Sequence, residues 1–324
     1  MSVTADYIKG WIPYRLREEP DFTGCRWLWT DKIKFDHPFF DETLSSLRRL
    51  KENIQTRHCE SSLDILPEWA AGMDAVAPTA IIFHVSRCGS TLLSQYLTLD
   101  PARIVLSEVP FFDDLLRWGF RNEKTTEAGR YLEAAIRVYG NRRWPDQQAL
   151  FIKTDSWHLH FYAQLRALFP STPFILLYRR PDEIIRSQQK QRGMQSVPGL
   201  VEPALFGFVK EEMHLADLDR HMTAVLETYF TRMAAIATTD PFSLLCNYTE
   251  GMQTIFEKTL RFCGQESTES ERQEIVRRSH FHAKQPQQVF EEPPLNEKPA
   301  DYLKTAINLY DKLEKIRIRL QPTS

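Results

Sequence analysis

Ala80-Ile-Ile-Phe-His-Val85 runs directly into Ser86-Arg87-Cys88-Gly89-Ser90-Thr91 and then into Leu92-Leu93-Ser94-Gln95-Tyr96-Leu97, and this stretch decides the fold. The first six residues are a short, almost unbroken apolar run, as expected of a strand buried on both faces. The last six open a helix. Between them lies a tight loop in which Gly89 removes side-chain obstruction where a backbone must approach an anion. The N–H groups at the start of the helix point at such an anion, and the helix dipole favours it. Ser90 and Thr91 add hydroxyl donors, and Arg87 adds positive charge. The pattern G-x-x-x-x-G-K-[ST] is not matched, because its first glycine and its lysine are both absent, and this disfavours an ordinary ATPase or GTPase. Taken alone, the stretch also reads as a serine-capped turn.

Similar apolar runs recur at Arg103-Ile-Val-Leu106, Ala149-Leu-Phe-Ile152, Phe174-Ile-Leu-Leu-Tyr178 and Phe242-Ser-Leu-Leu-Cys246. Amphipathic helical stretches separate them, such as Leu159 to Phe169 and Asp182 to Lys190. Strands alternating with helices predict a parallel sheet with helices on both faces. Ligands of such sheets bind beyond the carboxyl ends of the strands. Before this pattern, residues 1–78 read as an irregular, aromatic-rich extension holding Trp11, Trp27, Trp29, Phe35, Phe39 and Phe40. One helix is predicted there, from Asp41 to Ile54, with Leu44, Leu47 and Leu50 at helical spacing and Asp41 as its cap. Ala75-Val-Ala-Pro78 marks a boundary, and residues 79–324 form the core domain. At the other end Tyr302, Ala306, Leu309, Leu313, Ile316 and Leu320 make one apolar stripe on a long helix. Docking on the sheet accounts for that stripe, and a homodimeric coiled coil is the alternative.

Composition sets outer limits. The chain has 324 residues, 42% hydrophobic and 12% aromatic, with a formal net charge of −2. Disorder is disfavoured at this aromatic content, and the balanced charge gives no reason to expect a nucleic-acid or membrane-surface partner. No signal peptide or membrane helix is evident, so a cytoplasmic location is expected. Cys25, Cys59, Cys88, Cys246 and Cys263 are odd in number and form no C-x-x-C pair, which argues for free thiols rather than disulfides or a zinc site.

A second anion-binding pattern follows a strand. In Tyr178-Arg179-Arg180-Pro181-Asp182-Glu183-Ile184-Ile185-Arg186-Ser187, Pro181 suits the first turn of a helix. Arg179 leaves the strand end and can fork onto a phosphate. Ser187, about two turns along the helix, can offer a hydroxyl to the same anion.

Together the two stretches resemble the sulfotransferases that use 3′-phosphoadenosine 5′-phosphosulfate (PAPS). Ser86 to Thr91 is similar to the family's 5′-phosphosulfate loop, S/P-[KR]-S-G-[ST]-[ST], with Cys88 in place of the usual serine, so that one side-chain hydroxyl of the loop is missing. Arg179 to Ser187 is similar to R-[DN]-P-x-[DE]-x-x-x-S, which binds the 3′-phosphate, with Arg180 in place of Asp or Asn. Asn247-Tyr248-Thr249-Glu250 resembles the Y-E-D-L region, where an aromatic helps frame the adenosine side; packing is the other role open to Tyr248. Arg277, Arg278 and Lys284 are candidates for a basic loop over the 3′-phosphate, although the family's R-K-G is absent. The resemblance covers about residues 79 to 290. It implies a P-loop-type α/β fold with a parallel sheet of about five strands. It also implies Ser86, Arg87, Cys88, Gly89, Ser90, Thr91, Arg179, Ser187 and Tyr248 as cofactor-binding residues, PAPS as cofactor and 3′-phosphoadenosine 5′-phosphate (PAP) as product. The expected reaction moves a sulfuryl group to a hydroxyl or amine of a small-molecule, carbohydrate or peptide acceptor.

Sulfuryl transfer requires the anion to be positioned, charge on the leaving phosphate to be balanced, and the acceptor to lose a proton. No metal enters this logic, and no metal-ligand spacing is seen. Arg87 suits the bridging oxygen. For the base, Glu108 in Ser107-Glu108-Val109-Pro110 is the first candidate and Asp155 in Lys153-Thr154-Asp155 the second, each at a strand end expected to face the same crevice. Relatives carry E-P at the first position and K-T-H or K-T-P at the second, so both stretches depart from the pattern. Pairing with a nearby arginine is the structural alternative for either carboxylate. Lys153 can assist the leaving group or orient a carboxylate. His158 with His160, and His280 with His282, lack a partner cluster and read as surface or capping residues, whereas His84 reads as a core histidine. The rivals to this function are a small-molecule kinase and a catalytically silent nucleotide-binding protein.

Overall fold

The structure is a computed structural model that describes residues 8–20, 22–55, 59–209, 214–278, 281–282, 285–289 and 299–320. The aromatic-rich N-terminal stretch is regular rather than irregular. Strands β1 (Trp11–Glu19) and β2 (Phe22–Trp29) pair antiparallel, from Trp11 opposite Trp29 to Glu19 opposite Phe22. Helices α1 (Phe40–Leu47) and α2 (Lys51–Gln55) follow. Then β3 (Glu60–Ser62) pairs antiparallel with β2, and α3 spans Leu66–Ala71. Aromatic pairs support the sheet: Trp11 and Trp29 meet across β1 and β2 with ring centroids 5.8 Å apart, and Trp27 of β2 meets Trp69 of α3 at 5.3 Å. The single helix predicted over 41–54 is broken at Arg48 to Leu50. Its N-cap position is Phe39, so Asp41 lies in the first turn and favours the dipole there instead of capping.

The remaining elements alternate as predicted. They are β4 (Pro78–His84), α4 (Ser90–Leu97), β5 (Arg103–Ser107), α5 (Pro110–Arg121), α6 (Thr125–Tyr139), β6 (Ala149–Lys153) and α7 (Tyr162–Leu168). After these come β7 (Phe174–Tyr178), α8 (Pro181–Lys190), α9 (Leu218–Thr239), β8 (Ser243–Asn247), α10 (Met252–Phe262), α11 (Glu269–Arg278) and α12 (Lys304–Leu320). Strands β4 to β8 form a five-stranded parallel sheet in the order β5-β6-β4-β7-β8. Every residue of β5, β6 and β7 is buried, as a sheet covered on both faces requires. The fold is therefore α/β, with a parallel sheet flanked by helices. The helix predicted from Leu159 begins instead as a tight 3-10 turn at Ser156–Phe161 before α7. Among the described residues, no helix is long and apolar enough to cross a membrane.

The chain gathers into two compact units. One holds the chain up to Ile81 with Ser94–Thr154 and Phe161–Thr172; the other holds Ile82–Leu93, Asp155–His160 and the chain from Pro173. Within the first, Phe40 and Phe112 each pack a ring against Tyr139, with centroids 5.4 and 5.0 Å away. There Leu16 N–H donates to Asp114 Oδ2 at 3.1 Å, tying β1 to α5. Within the second, α9 buries Met222, Leu226, Phe230 and Met233 and packs along α12. The stripe of α12 is Ala306, Tyr310, Leu313 and Ile316, with Leu320 52% exposed. Tyr310 thus takes the inward place predicted for Leu309. Its hydroxyl meets Asn247 Nδ2 at 2.8 Å, which anchors the helix to the end of β8.

Candidate functional site

In the second unit, β4 ends at His84 and the chain makes two successive left-handed residues, Ser86 (φ 67°) and Arg87 (φ 51°). Each such position disfavours an L-residue by roughly 1–2 kcal/mol, so it persists only where its surroundings enforce it. Here they do. Ser86 N–H donates to His84 Nδ1 at 3.1 Å, and Val85 N–H donates to the carbonyl of Leu177 on β7 at 3.2 Å. Gly89 (φ 85°) then turns the chain into α4, and its carbonyl accepts from Leu93 N–H at 3.0 Å. A side chain at Gly89 would meet Met252 Sδ at 2.5 Å and the Tyr248 ring at 3.0 Å, so glycine is required by space as well as by φ. Ser90 is buried at the first residue of α4, and Thr91 is half-buried beside it. The predicted strand–loop–helix turn is therefore formed, with the N-terminus of α4 behind it.

The Cys88 side chain points away from the loop. Its thiol is fully buried and donates to the Leu177 carbonyl at 3.4 Å. The cysteine thus joins the turn to β7.

Arg179 is brought to the same turn. It is 5% exposed at the end of β7, with Nε 2.6 Å from Glu183 Oε2 and Nη1 3.2 Å from the Arg87 carbonyl. Its guanidinium stacks on Tyr248 at 4.2 Å from the ring centroid. One ring therefore covers Gly89 and braces Arg179, so packing and site-building are the same role for Tyr248. Tyr248 is placed by a capping box, in which Asn247 Oδ1 accepts from Thr249 N–H at 3.1 Å and Glu250 Oε1 accepts from Asn247 N–H at 2.8 Å. Pro181 opens α8 in its first turn, and Ser187 lies half-buried further along that helix. Arg180 is engaged by Asp182, with Nε 3.0 Å from Oδ1. The Arg87 guanidinium donates through Nη2 to the Gln191 carbonyl.

In the first unit, Glu108 follows β5 and is also left-handed, with φ 56°. Its N–H donates to the Lys153 carbonyl at 2.8 Å, and its Oε1 lies 2.8 Å from Lys153 Nζ. The Lys153 side chain is 0% exposed, and its ammonium also sits 4.8 Å from the centre of the Phe39 ring. A buried ammonium requires such compensation. Lys153 thus holds the Glu108 carboxylate in an ion pair. Five non-glycine residues among those described have positive φ, and three of them, Ser86, Arg87 and Glu108, were singled out by sequence. Strain of this kind concentrates at functional sites.

Asp155 lies in the second unit. Its Oδ2 is 3.7 Å from His158 Nε2, and the His158 side chain is 3% exposed. His158 is thus buried, not a surface residue. His160 is also held inside, between the rings of Phe206 and Tyr229, and burial followed by the Arg232 charge pushes its pKa down to about 3. A neutral imidazole of that weakness is a poor proton acceptor at neutral pH. His84 is a core histidine as predicted, 4% exposed, and in addition it supports the turn. His280 lies outside the described residues, and nothing is described of the His282 side chain. Arg277 and Arg278 end helix α11 and both bond Glu274, with each Nε 2.7 Å from it, while Lys284 lies outside the described residues.

Two participants carried no motif. Gln188, 0% exposed on α8, donates through Nε2 to Ser86 Oγ at 3.2 Å and accepts from Gly193 N–H at 2.8 Å. Met252 closes over Gly89. The sequence signal for the first is its helical spacing from Ile184 and Ile185, which places a polar residue on a buried face; nothing in the sequence marks the second.

A tight turn between a parallel strand and a helix, with two left-handed residues and a strand-end arginine bonded to it, is the site this fold presents. No family model matches the chain, and no curated protein matches it. Among solved structures, it is similar to the sulfotransferase STF1 of Mycobacterium tuberculosis, with 13% identity over 65% of this chain and 73% of that one, at a TM-score of 0.44. It is also similar to the sulfotransferase STF9 of Mycobacterium avium, with 15% identity over 86% of this chain and 82% of that one, at a TM-score of 0.46.

Proposed function

We propose that the chain is a PAPS-dependent sulfotransferase. One observation carries the proposal: two stretches 92 residues apart, each similar to a phosphate-binding motif of that family, are joined by the bond from Arg179 Nη1 to the Arg87 carbonyl. The residues present suit the group. Ser90 and Thr91 offer hydroxyls at the start of α4, and Arg87 and Arg179 supply the positive charge a doubly phosphorylated nucleotide requires. PAPS, when bound, supplies the sulfuryl group and leaves as PAP.

The chain's own residues have three tasks. The turn from Ser86 to Thr91 holds the 5′ side and Arg179 with Ser187 the 3′ side. Arg87 offsets the negative charge that develops on the leaving phosphate oxygen. The Glu108 carboxylate takes the proton from the acceptor hydroxyl or amine as the new bond to sulfur forms, with Lys153 holding it in place; Asp155 is the second candidate. The acceptor is a small molecule, carbohydrate or peptide. The inward thiol of Cys88 supports an active enzyme over a silent relative, since this departure from the motif leaves the mouth of the loop intact.

Calorimetric titration with PAP, alongside ATP and 5′-AMP, tests the proposal. Binding that requires the 3′-phosphate is expected. A preference for ATP points to a kinase, and tight PAP binding without transfer to any acceptor points to a silent nucleotide-binding protein.

A further inference from the structure

The left-handed pair Ser86–Arg87 shapes the anion-receiving turn, and residues of these types do not hold that conformation unaided. Two of its supports are local or motif-borne, namely His84 on the Ser86 N–H and Arg179 on the Arg87 carbonyl. The third is Gln188, whose two bonds run in opposite directions. Nε2 donates to the Ser86 hydroxyl, and Oε1 accepts from Gly193 N–H in the segment that leaves α8. That segment also holds Arg87, because the Gln191 carbonyl takes its guanidinium.

We propose that Gln188 is a positioning residue for the phosphate-binding turn. It fixes the Ser86 side chain and, by holding Gly193 N–H, fixes the Gln191–Gly193 backbone that aims Arg87. The inference rests on the proposed function for its ligand, but not for its structural content. Gln188 has no solvent exposure, so an apolar residue in its place makes neither bond, and the half-buried Ser86 hydroxyl and Gly193 N–H lose the partner that fixes their direction. Glutamate at this position restores both bonds in a different sense, since the Ser86 hydroxyl and the Gly193 N–H can each donate to its carboxylate.

The test compares the full-length parent with Gln188→Met, which keeps the volume and loses both bonds, and Gln188→Glu, which regains them. Hydrogen exchange is read on peptides covering 86–91 and 191–195, and nucleotide binding is read with PAP and with 3′-AMP, which lacks the 5′-phosphate. In Gln188→Met, exchange in both segments is expected to quicken about tenfold or more while other core peptides stay as in the parent. PAP affinity should fall about tenfold with 3′-AMP affinity nearly unchanged. Gln188→Glu should recover the exchange protection. Unchanged exchange in Gln188→Met overturns the inference, as does an equal loss of both nucleotides, which would mark a general packing defect. If the parent binds neither nucleotide, the proposed function fails, while exchange alone still decides whether Gln188 orders the turn.

Discussion

Arg87 serves the turn twice: its carbonyl is the acceptor that fixes Arg179, and its guanidinium is the charge aimed by Gln191. Removing only the side chain separates the two. Arg87→Ala keeps the carbonyl, so sulfuryl transfer is expected to fall by about 10²–10³-fold while PAP affinity drops less than about tenfold. Arg179→Ala removes a buried, bonded cation, and PAP affinity should weaken roughly a hundredfold, with lysine recovering only part because it lacks the fork. Paired titration and initial-rate measurements distinguish these outcomes, and variants that bind and turn over like the parent would refute the site. Glu108→Gln preserves size but accepts no proton; a loss of roughly 10²-fold or more in turnover with unchanged PAP binding is expected, and unimpaired turnover would shift the base to Asp155. For Cys88→Ser the inward geometry predicts a PAP affinity within about threefold of the parent and a stability cost near ~1 kcal/mol, read by titration and by urea unfolding.

The helix α12 carries a different kind of consequence. Arg317 Nη2 lies 2.9 Å from Glu314 Oε2 and Arg317 Nη1 3.1 Å from Glu250 Oε2, with Lys258 also on Glu250. The hydroxyl of Tyr178, the last residue of β7, donates to Glu314. This network pins the strand end from which Arg179 departs. Burial alone would raise the Glu314 carboxyl, but bonds from Arg317, Tyr178 and Asn247 outweigh it and hold the pKa below its usual 4.5. A carboxyl lowered by folding contributes stability above its unfolded value, and that contribution is lost as pH falls through the folded one. Glu314→Gln should therefore be less stable than the parent near neutrality, with the gap closing as the pH falls below the carboxyl's usual 4.5. Urea midpoints across that range provide the check; a gap that stays constant would show that the carboxylate charge is not involved.

At the scale of the whole molecule, a ligand that binds only the folded chain stabilises it by mass action. With PAP at a hundred times its dissociation constant the gain is about 2.7 kcal/mol, a rise of roughly 4 °C in melting temperature for a chain of this length. A thermal scan with PAP, 3′-AMP and ATP should rank them in that order; ATP producing the largest shift would count against the proposed function. High salt should shrink the PAP shift if the half-buried Arg87 meets the anion within reach of solvent.

Much of the fold was legible because its cause is local. Continuous apolar runs at five places forced buried strands, Pro181 started a helix, and Gly89 marked the one position where a side chain would strike Met252 and Tyr248. The N-terminal hairpin was not legible in the same way, because charges at Arg15, Arg17, Glu18 and Glu19 interrupt the apolar alternation of its first strand. By itself, then, the sequence determined the α/β alternation, the strand–loop–helix turn and the identity of most residues lining it, since propensity, burial period and spacing act over a few residues. Tertiary structure alone decided that Cys88 faces the sheet, that Lys153 meets Glu108, that Tyr248 braces Arg179, and that Gln188 reaches Ser86. Each of these joins segments far apart in the chain, and its direction is set by packing that no local pattern encodes.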